Sequence, residues 1–203
     1  MKIICIGRNY AEHAKEMNAA VPTEPVFFLK PDTAIIKNGQ PFYYPDFSKE
    51  IHHEVELVLK ISKPGKNIEL QFANKYYDEI GIGIDFTARD IQAECKEKGL
   101  PWEKAKAFDG SAPIGKFIEK KKIADVNNIN FHLSINGNTV QKGNTKDLIF
   151  TFDSVIAYVS KFFTLKKGDL IYTGTPEGVG PVKIGDKLEA SIENETLLSL
   201  EIK

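Results

Sequence analysis

The sequence has few cysteines, and its charges nearly cancel. Only two of 203 residues are cysteine, Cys5 and Cys95, and they form no CxxC pair, so we expect neither a disulfide framework nor a zinc ribbon. Both are expected to be inert core residues in a reducing compartment. The formal net charge of −1 gives no electrostatic reason to expect nucleic acid or an anionic membrane surface as a partner. A small molecule or another protein is the expected partner.

Long apolar runs are also missing. No stretch approaches the roughly 20 apolar residues that span a bilayer. The apolar run within the first ten residues is too short for a signal peptide. With 42% hydrophobic and 27% charged residues, the chain has the composition of an ordinary globular protein. These features predict a cytoplasmic protein without a membrane partner.

Arginine is scarce, although basic residues are common. Of the 27 basic residues only Arg8 and Arg89 are arginine, and the others are lysine. Lysine replaces arginine poorly where a planar guanidinium binds a carboxylate through two hydrogen bonds. The two arginines are therefore candidates for carboxylate binding, although chance in a lysine-rich sequence accounts for them equally well.

Most of the chain has a strand-like pattern. Alternating or short apolar segments predict strands, Asn136-Gly137 predicts a hairpin turn, and Ala88 to Lys98 reads as a helix ended by Gly99. One amphipathic helix has Val155, Ile156, Val159, Phe162 and Phe163 on one stripe. Without a linker, a repeat or a regular βαβ order, residues 1–203 are predicted to form one mixed, β-rich α+β domain. The predicted strands are residues 3–6, 26–29, 34–36, 52–61, 79–86, 131–135, 139–141, 170–172, 187–192 and 197–202.

A short helix over about residues 9–18 is a candidate mobile lid. Asn9 and Glu12 have the spacing of a helix cap, and the Pro-rich loop 21–25 follows the helix. His13 and Glu16 are three residues apart on this helix, so their side chains can touch. A carboxylate bonded to one imidazole nitrogen leaves the other nitrogen as a base for water. An exposed helical ion pair would give the same spacing.

Three acidic residues are candidate metal ligands. Glu54 and Glu56 alternate with apolar residues on one predicted strand, so both side chains leave the same face. Asp85 ends another apolar strand. Three carboxylates that can be buried together require a cation, and oxygen ligands suit Mg²⁺ or Mn²⁺ better than zinc. The alternative is a solvated pair of glutamates and an aspartate that caps the next helix.

Two further segments contain candidate polar groups. Lys104 and Lys106 follow Trp102, and a lysine beside a metal site can stabilise an oxyanion. An exposed surface lysine is the ordinary alternative. The segment Thr173 to Pro176 follows a predicted strand, and its hydroxyl and N–H groups can bind a carboxylate. An ordinary turn would contain the same residue types equally often.

Six motifs, in a fixed order along nearly the whole chain, resemble the fumarylacetoacetate hydrolase-domain family, in particular its short acylpyruvase-type members. The motifs are Gly-Arg-Asn-Tyr at 7–10, Glu-Pro-Val-Phe-Phe-Leu-Lys-Pro at 24–31, His-His-Glu-Val-Glu-Leu at 52–57, Asp-Phe-Thr-Ala-Arg-Asp at 85–90, Gly-Leu-Pro-Trp at 99–102 and Thr-Gly-Thr-Pro-Glu-Gly-Val-Gly at 173–180.

This resemblance implies a mixed β-roll that assembles as a homodimer. It further implies one Mg²⁺ or Mn²⁺ per chain, a catalytic group on the lid, and a set of substrate-binding residues. The implied metal ligands are Glu54, Glu56 and Asp85; the catalytic residues are His13, Glu16 and Lys106; the substrate-binding residues are Arg8, Arg89, Gln92 and Thr175.

The resemblance also implies chemistry on a small 2-oxo acid. Our first prediction is hydrolysis of the C–C bond of acylpyruvates to pyruvate and a carboxylic acid. Alternatives on the same site are oxaloacetate decarboxylation, oxaloacetate enol–keto tautomerisation, and isomerisation or hydration of unsaturated 2-oxo diacids from aromatic catabolism. The pair His13 and Glu16 favours hydrolysis or tautomerisation over decarboxylation. A non-catalytic metal-binding assembly module is the alternative from another class, but it needs fewer residues of this kind.

Overall fold

Fourteen strands and five α-helices make up the computed structural model, which describes residues 1–203. The strands are β1 Ile3–Gly7, β2 Val26–Lys30, β3 Ile35–Lys37, β4 Ile51–His53, β5 Val55–Ile61, β6 Tyr77–Ile84, β7 Thr87–Ala88, β8 Ala112–Glu119, β9 Asn130–Ile135, β10 Asn138–Asn144, β11 Leu170–Tyr172, β12 Gly180–Pro181, β13 Lys187–Ile192 and β14 Glu195–Glu201. The helices are α1 Ala11–Glu16, α2 Leu70–Ala73, α3 Arg89–Lys98, α4 Glu103–Lys106 and α5 Phe152–Val159. Three short 3-10 helices are also present, at Asp32–Ala34, Lys120–Lys122 and Thr145–Asp147.

The strands form three sheets of seven, four and three strands. The large sheet has the order β2-β1-β11-β5-β6-β8-β3, the second has β10-β9-β13-β14, and the smallest has β12-β4-β7. Most neighbours are antiparallel, whereas β1 runs parallel to β11 and β3 parallel to β8. The prediction of a mixed, β-rich fold is therefore confirmed. None of the five α-helices combines the length and the apolar character that a membrane-spanning helix needs.

The large sheet separates the main core from the face that carries the acidic residues. On β5, Val55, Leu57 and Leu59 belong to a core cluster of 34 buried residues, which also includes residues of β9, β13, β14 and α5. Glu56 and Val58 point to the opposite face, because successive side chains of a strand alternate. Val58 joins a smaller cluster of eight buried residues there, which includes both Cys5 and Tyr172. Both cysteines are buried and free.

Close packing on this second face explains a glycine in β6. A Cβ atom at Gly83 would lie 2.7 Å from Cε1 of Tyr172 and 2.8 Å from the carbonyl oxygen of Pro113.

Strand β6 is paired with β5 in antiparallel register, with Ile84 opposite Val55. The backbone N–H of Asp85 donates to the Glu54 carbonyl at 2.8 Å. The register therefore brings the end of β6 beside the start of β5.

The structure corrects the predicted lid helix. Helix α1 covers Ala11–Glu16, which is shorter than the predicted 9–18, and Asn9 does not cap this helix. The Asn9 side chain instead donates to the Phe150 carbonyl at 3.0 Å and to the Thr173 carbonyl at 2.8 Å. Its Oδ1 accepts from the Phe150 N–H at 2.7 Å. Because these partners are distant in sequence, the local spacing gave the wrong role for Asn9.

Other local predictions fit the structure more closely. Asn136 and Gly137 have φ values of 52° and 82°, as a tight hairpin turn between β9 and β10 requires. Helix α3 ends at Lys98 before Gly99, whose φ is 62°. Helix α5 is shorter than predicted, because it ends at Val159 and leaves Phe162 and Phe163 beyond its last turn.

Candidate active site

Glu54, Glu56 and Asp85, called here the acidic triad, meet where β5 starts and β6 ends. All three are at most 6% exposed. One carboxylate oxygen from each lies within 4.8 Å of the others, which is close enough for one metal ion. Carboxylates are seldom buried without a cation, since removing the charge from water is costly. The geometry therefore excludes the alternative of glutamates on a solvated face.

Three cations contact the triad. Lys106 Nζ lies 2.8 Å from Glu54 Oε2 and 2.7 Å from Asp85 Oδ2. Lys30 Nζ lies 2.8 Å from Asp85 Oδ1, and Arg89 Nη2 lies 2.5 Å from Glu54 Oε1. Lys106 is itself 3% exposed, which excludes the alternative of a surface lysine. These three side chains, called here the paired cations, all bind Glu54 or Asp85.

Glu56 differs because it forms no ion pair. The hydrogen bond to its side chain comes from the Gly174 N–H, 2.6 Å from Oε2. Burial, followed by the charge of Asp85, raises the pKa of Glu56 well above its ordinary value. Burial also acts to raise the pKa of Glu54, but Lys106 and Arg89 outweigh it and hold that pKa below its ordinary value. One carboxylate of the triad thus has no cationic partner in the protein.

The triad fits a divalent metal ion. It offers oxygen donors only, which are the ligands that Mg²⁺ and Mn²⁺ prefer. The unpaired carboxylate of Glu56 has the buried position and the charge for which a bound cation would compensate. Two neighbouring side chains bind the triad and its cations. Arg89 Nη1 donates to Gln92 Oε1 at 2.6 Å, and Thr87 Oγ1 donates to Glu54 Oε1 at 3.1 Å.

Helix α1 contributes a histidine and a glutamate to this region of the molecule. His13 is 5% exposed, and its Nδ1 lies 3.1 Å from Glu16 Oε2. The other oxygen of Glu16 accepts the Gly178 N–H at 3.0 Å, which ties the helix to the loop before β12. The burial of His13 excludes the alternative of a fully exposed helical ion pair.

A cavity of about 350 Å³ connects these groups. Nine of the ten predicted site residues line it, and Glu16 adjoins it through its contact with His13. Its apolar wall includes Val26, Phe28 and Trp102. The nine predicted residues in the lining are Arg8, His13, Glu54, Glu56, Asp85, Arg89, Gln92, Lys106 and Thr175.

Lys30, which was not among the predicted site residues, is buried in contact with the triad. Its Nζ contacts Asp85, donates to Ser111 Oγ at 2.9 Å, and also reaches the backbone carbonyls of Phe86 and Lys106. The available signal was a lysine at the end of the apolar strand β2, where an unpaired charge would be unfavourable. Its partners lie more than 50 residues away, so no local spacing pointed to them.

Gln141 was also missed, although it holds the loop that carries Thr175. Its Oε1 lies 2.9 Å from His53 Nδ1 and accepts the Val55 N–H at 3.0 Å. Its Nε2 donates to Thr175 Oγ1 at 2.9 Å and to the Pro176 carbonyl at 3.0 Å. One buried amide therefore fixes the position of the Thr175 hydroxyl relative to β5.

Comparisons with known proteins agree with this arrangement. The model of the family described as "Fumarylacetoacetate (FAA) hydrolase C-terminal" matches residues 2–202. Oxaloacetate tautomerase FAHD1, mitochondrial, from Mus musculus is 46% identical over 201 residues, covering 99% of this chain and 91% of that protein. Oxaloacetate tautomerase YcgM from Escherichia coli is 45% identical over 197 residues, covering 97% and 90%.

A solved structure is similar over the whole chain. The fumarylpyruvate hydrolase from Pseudomonas aeruginosa, crystallised with Mn²⁺ and pyruvate, superposes with a TM-score of 0.94 at 37% identity. The match covers 100% of this chain and 89% of that chain. Sequence and structure comparisons therefore point to the same group of proteins.

Proposed function

Because this chain belongs to the fumarylacetoacetate hydrolase C-terminal domain family, we propose that it is a metal-dependent enzyme that interconverts the enol and keto forms of oxaloacetate. The observation that carries the proposal is one cavity lined by the buried triad and by His13, whose Nδ1 contacts Glu16. The names of the mouse and E. coli relatives support oxaloacetate tautomerisation over our first prediction, acylpyruvate hydrolysis.

Glu54, Glu56 and Asp85 would hold one Mg²⁺ or Mn²⁺ ion. When bound, the ion supplies Lewis-acid polarisation of the oxygen atoms of a 2-oxo acid. The Mn²⁺ in the P. aeruginosa hydrolase supports a metal of this class. The choice between the two ions, and the homodimer that the family resemblance implies, stay predictions.

Tautomerisation moves one proton between the enol oxygen and C3, so the site needs a group that can accept and return a proton. His13 suits this role, because Glu16 beside Nδ1 favours the tautomer with hydrogen on Nδ1. Nε2 of His13 is then the available base. The low exposure of His13 limits competing exchange with bulk water.

The remaining residues act by position and charge. Lys106 and Arg89 are fixed by ion pairs to the triad, so their positive charge is already in place when negative charge develops on the substrate. Arg8, Gln92 and Thr175 also line the cavity and present polar groups to the oxygen atoms of a bound acid.

The experiment is a tautomerase assay on the purified protein with Mg²⁺ or Mn²⁺. The enol form of oxaloacetate is supplied, and excess malate dehydrogenase reports the keto form through NADH oxidation. We expect acceleration that a chelator abolishes, and a loss of at least about 100-fold in His13→Ala. Metal binding by His13→Ala, measured by calorimetry, should persist. No acceleration with either metal would contradict the proposal.

Acylpyruvate hydrolysis is the second candidate. It is favoured by the position of His13 and Glu16, which can also activate water, and by the name of the P. aeruginosa neighbour. The discriminating measurement is pyruvate release from acetylpyruvate under the same conditions. Hydrolysis without tautomerisation would replace the first candidate by the second, and inactivity in both assays with metal bound would favour the non-catalytic alternative.

A further inference from the structure

The cavity contains more positive charge than the triad can neutralise. The three paired cations equal the three carboxylates of the triad in number, although they contact only Glu54 and Asp85. Two other cations, Arg8 and Lys96, also line the cavity. Neither side chain forms an ion pair or a hydrogen bond, whereas the paired cations are all fixed by such contacts. Two charges that face the cavity are thus available to a ligand.

Arg8 reaches the cavity from a strained backbone position. It lies between β1 and α1 with φ of 56°, in the left-handed region that residues other than glycine seldom adopt. Such a conformation persists only where neighbouring contacts impose it. Here the next residue, Asn9, is held by three hydrogen bonds to Phe150 and Thr173. The surrounding structure therefore maintains an unpaired arginine at the cavity wall.

Lys96 reaches the cavity from helix α3. It follows Arg89 and Gln92 at seven and four residues, so all three share one helical face. Its Nζ lies 5.7 Å from the centroid of the Trp102 ring, and the residue is exposed at the cavity mouth. The pKa of Lys96 is lowered, first because its side chain is partly desolvated and then because the positive charge of Arg89 lies nearby.

We propose that Arg8 and Lys96 bind a second carboxylate of the substrate, so that the cavity selects 2-oxo dicarboxylates over 2-oxo monocarboxylates. The inference deepens the proposed function and rests on it, because oxaloacetate carries a carboxylate at each end. A guanidinium and an ammonium without protein partners give a second carboxylate two charged donors. A monocarboxylate of the same length would leave both cations without a counter-charge.

The test uses pairs of ligands that differ only in the distal carboxylate. Calorimetry on the Mg²⁺-loaded protein compares oxaloacetate with 2-oxobutanoate and 2-oxoglutarate with 2-oxopentanoate. We expect the diacid of at least one pair to bind about tenfold more tightly than its partner, the ratio of one charge-assisted hydrogen bond. Lys96→Met should weaken diacid binding about three- to fivefold, as suits an exposed charge, and Arg8→Met about tenfold. Binding of the monoacids should change little.

Lys98→Met is the matched control. Lys98 lies on the same helix, but it is exposed and pairs with Glu94 at 2.6 Å, so its removal should leave the preference intact. Equal binding of both members of each pair would overturn the proposal, as would an unchanged preference in Lys96→Met. If Arg8→Met fails to fold, Lys96→Met decides the outcome. Since 2-oxoglutarate and 2-oxopentanoate are not the proposed substrate, their binding does not depend on turnover. A diacid preference in a protein that does not tautomerise oxaloacetate would therefore contradict only the proposed function.

Discussion

Replacement of Glu56 by glutamine should stabilise the metal-free protein at neutral pH. Glu56 is 1% exposed, has no cationic partner, and has a pKa raised first by burial and then by Asp85. A carboxyl whose pKa rises on folding destabilises the folded state progressively as the pH increases above its unfolded pKa. Glutamine cannot ionise in either state, and its amide oxygen can still accept the hydrogen bond from Gly174.

The expected gain follows from the ordinary cost of a buried polar group that is only partly compensated, here by one hydrogen bond from Gly174. That cost is about 1–3 kcal/mol. For a chain of 203 residues it corresponds to a rise of about 2–12 °C in the unfolding midpoint. Below about pH 3 the glutamate is protonated in both states, so the difference between variant and wild type should vanish.

Glu54→Gln is the matched control, and it should have the opposite effect. Lys106 and Arg89 lower the pKa of Glu54 despite its burial, so its charge stabilises the folded state above the unfolded pKa. Removing it leaves two cations without this partner and should cost about 3–5 kcal/mol at neutral pH. That cost should shrink only as the pH falls through the lowered pKa.

A bound metal should reverse the order of Glu56→Gln and wild type. A metal at about 1,000 times its dissociation constant stabilises the wild type by about 4.1 kcal/mol, which exceeds the gain of about 1–3 kcal/mol, whereas the variant has lost one of three ligands. Calorimetric unfolding of the three proteins, with chelator and with Mg²⁺ or Mn²⁺, measures both effects. A Glu56→Gln protein that unfolds below the wild type in chelator at neutral pH would refute the reasoning.

Two further substitutions test Glu16 on the lid and the ion pair between Lys30 and Asp85. Glu16→Gln can still accept the Gly178 N–H but no longer places a carboxylate beside His13. The kcat should therefore fall by at least about 100-fold, while the protease resistance of α1 stays unchanged. Equal proteolysis of Glu16→Gln and Glu16→Ala would argue against the contact between Glu16 and Gly178. Lys30→Met removes one of the two cations paired with buried Asp85 and should lower the unfolding midpoint by about 10 °C in chelator. A midpoint within 2 °C of the wild type would show that Lys30 contributes little.

Local sequence patterns predicted much of the fold and part of the site. The alternation of Glu54 and Glu56 with apolar residues gave their shared face, and the spacing of His13 and Glu16 gave their contact. These are relations between residues two or three positions apart, which strand and helix geometry determine. That the acidic pair meets Asp85 depends on the register of β5 and β6, which local spacing does not determine. Only the family resemblance implied that the three residues share one metal ion.

Residues with distant partners could not be found in this way. Asn9 had the letters of a helix cap, but its hydrogen bonds join it to residues more than 140 positions away. Lys30 had only an unusual position at the end of a strand, and its counter-ion lies 55 residues further along the chain. In both cases the local pattern was compatible with an ordinary role, because the side chain's function is set by tertiary contacts.

Lys96 illustrates a different limit, since its position was visible in the sequence but its significance was not. The spacing of Arg89, Gln92 and Lys96 places them on one helical face. Lys98 belongs to the same helix and has the same charge, yet Glu94 neutralises it. What distinguishes the two lysines is a missing partner, and a missing partner is defined only once every neighbour is known.

The same reasoning separates Glu56 from Glu54 within the triad, because two similar carboxylates differ mainly in the cations that surround them. Unmatched charge, negative at Glu56 and positive at Arg8 and Lys96, therefore marks the positions at which this cavity would take up a metal ion and a dicarboxylate.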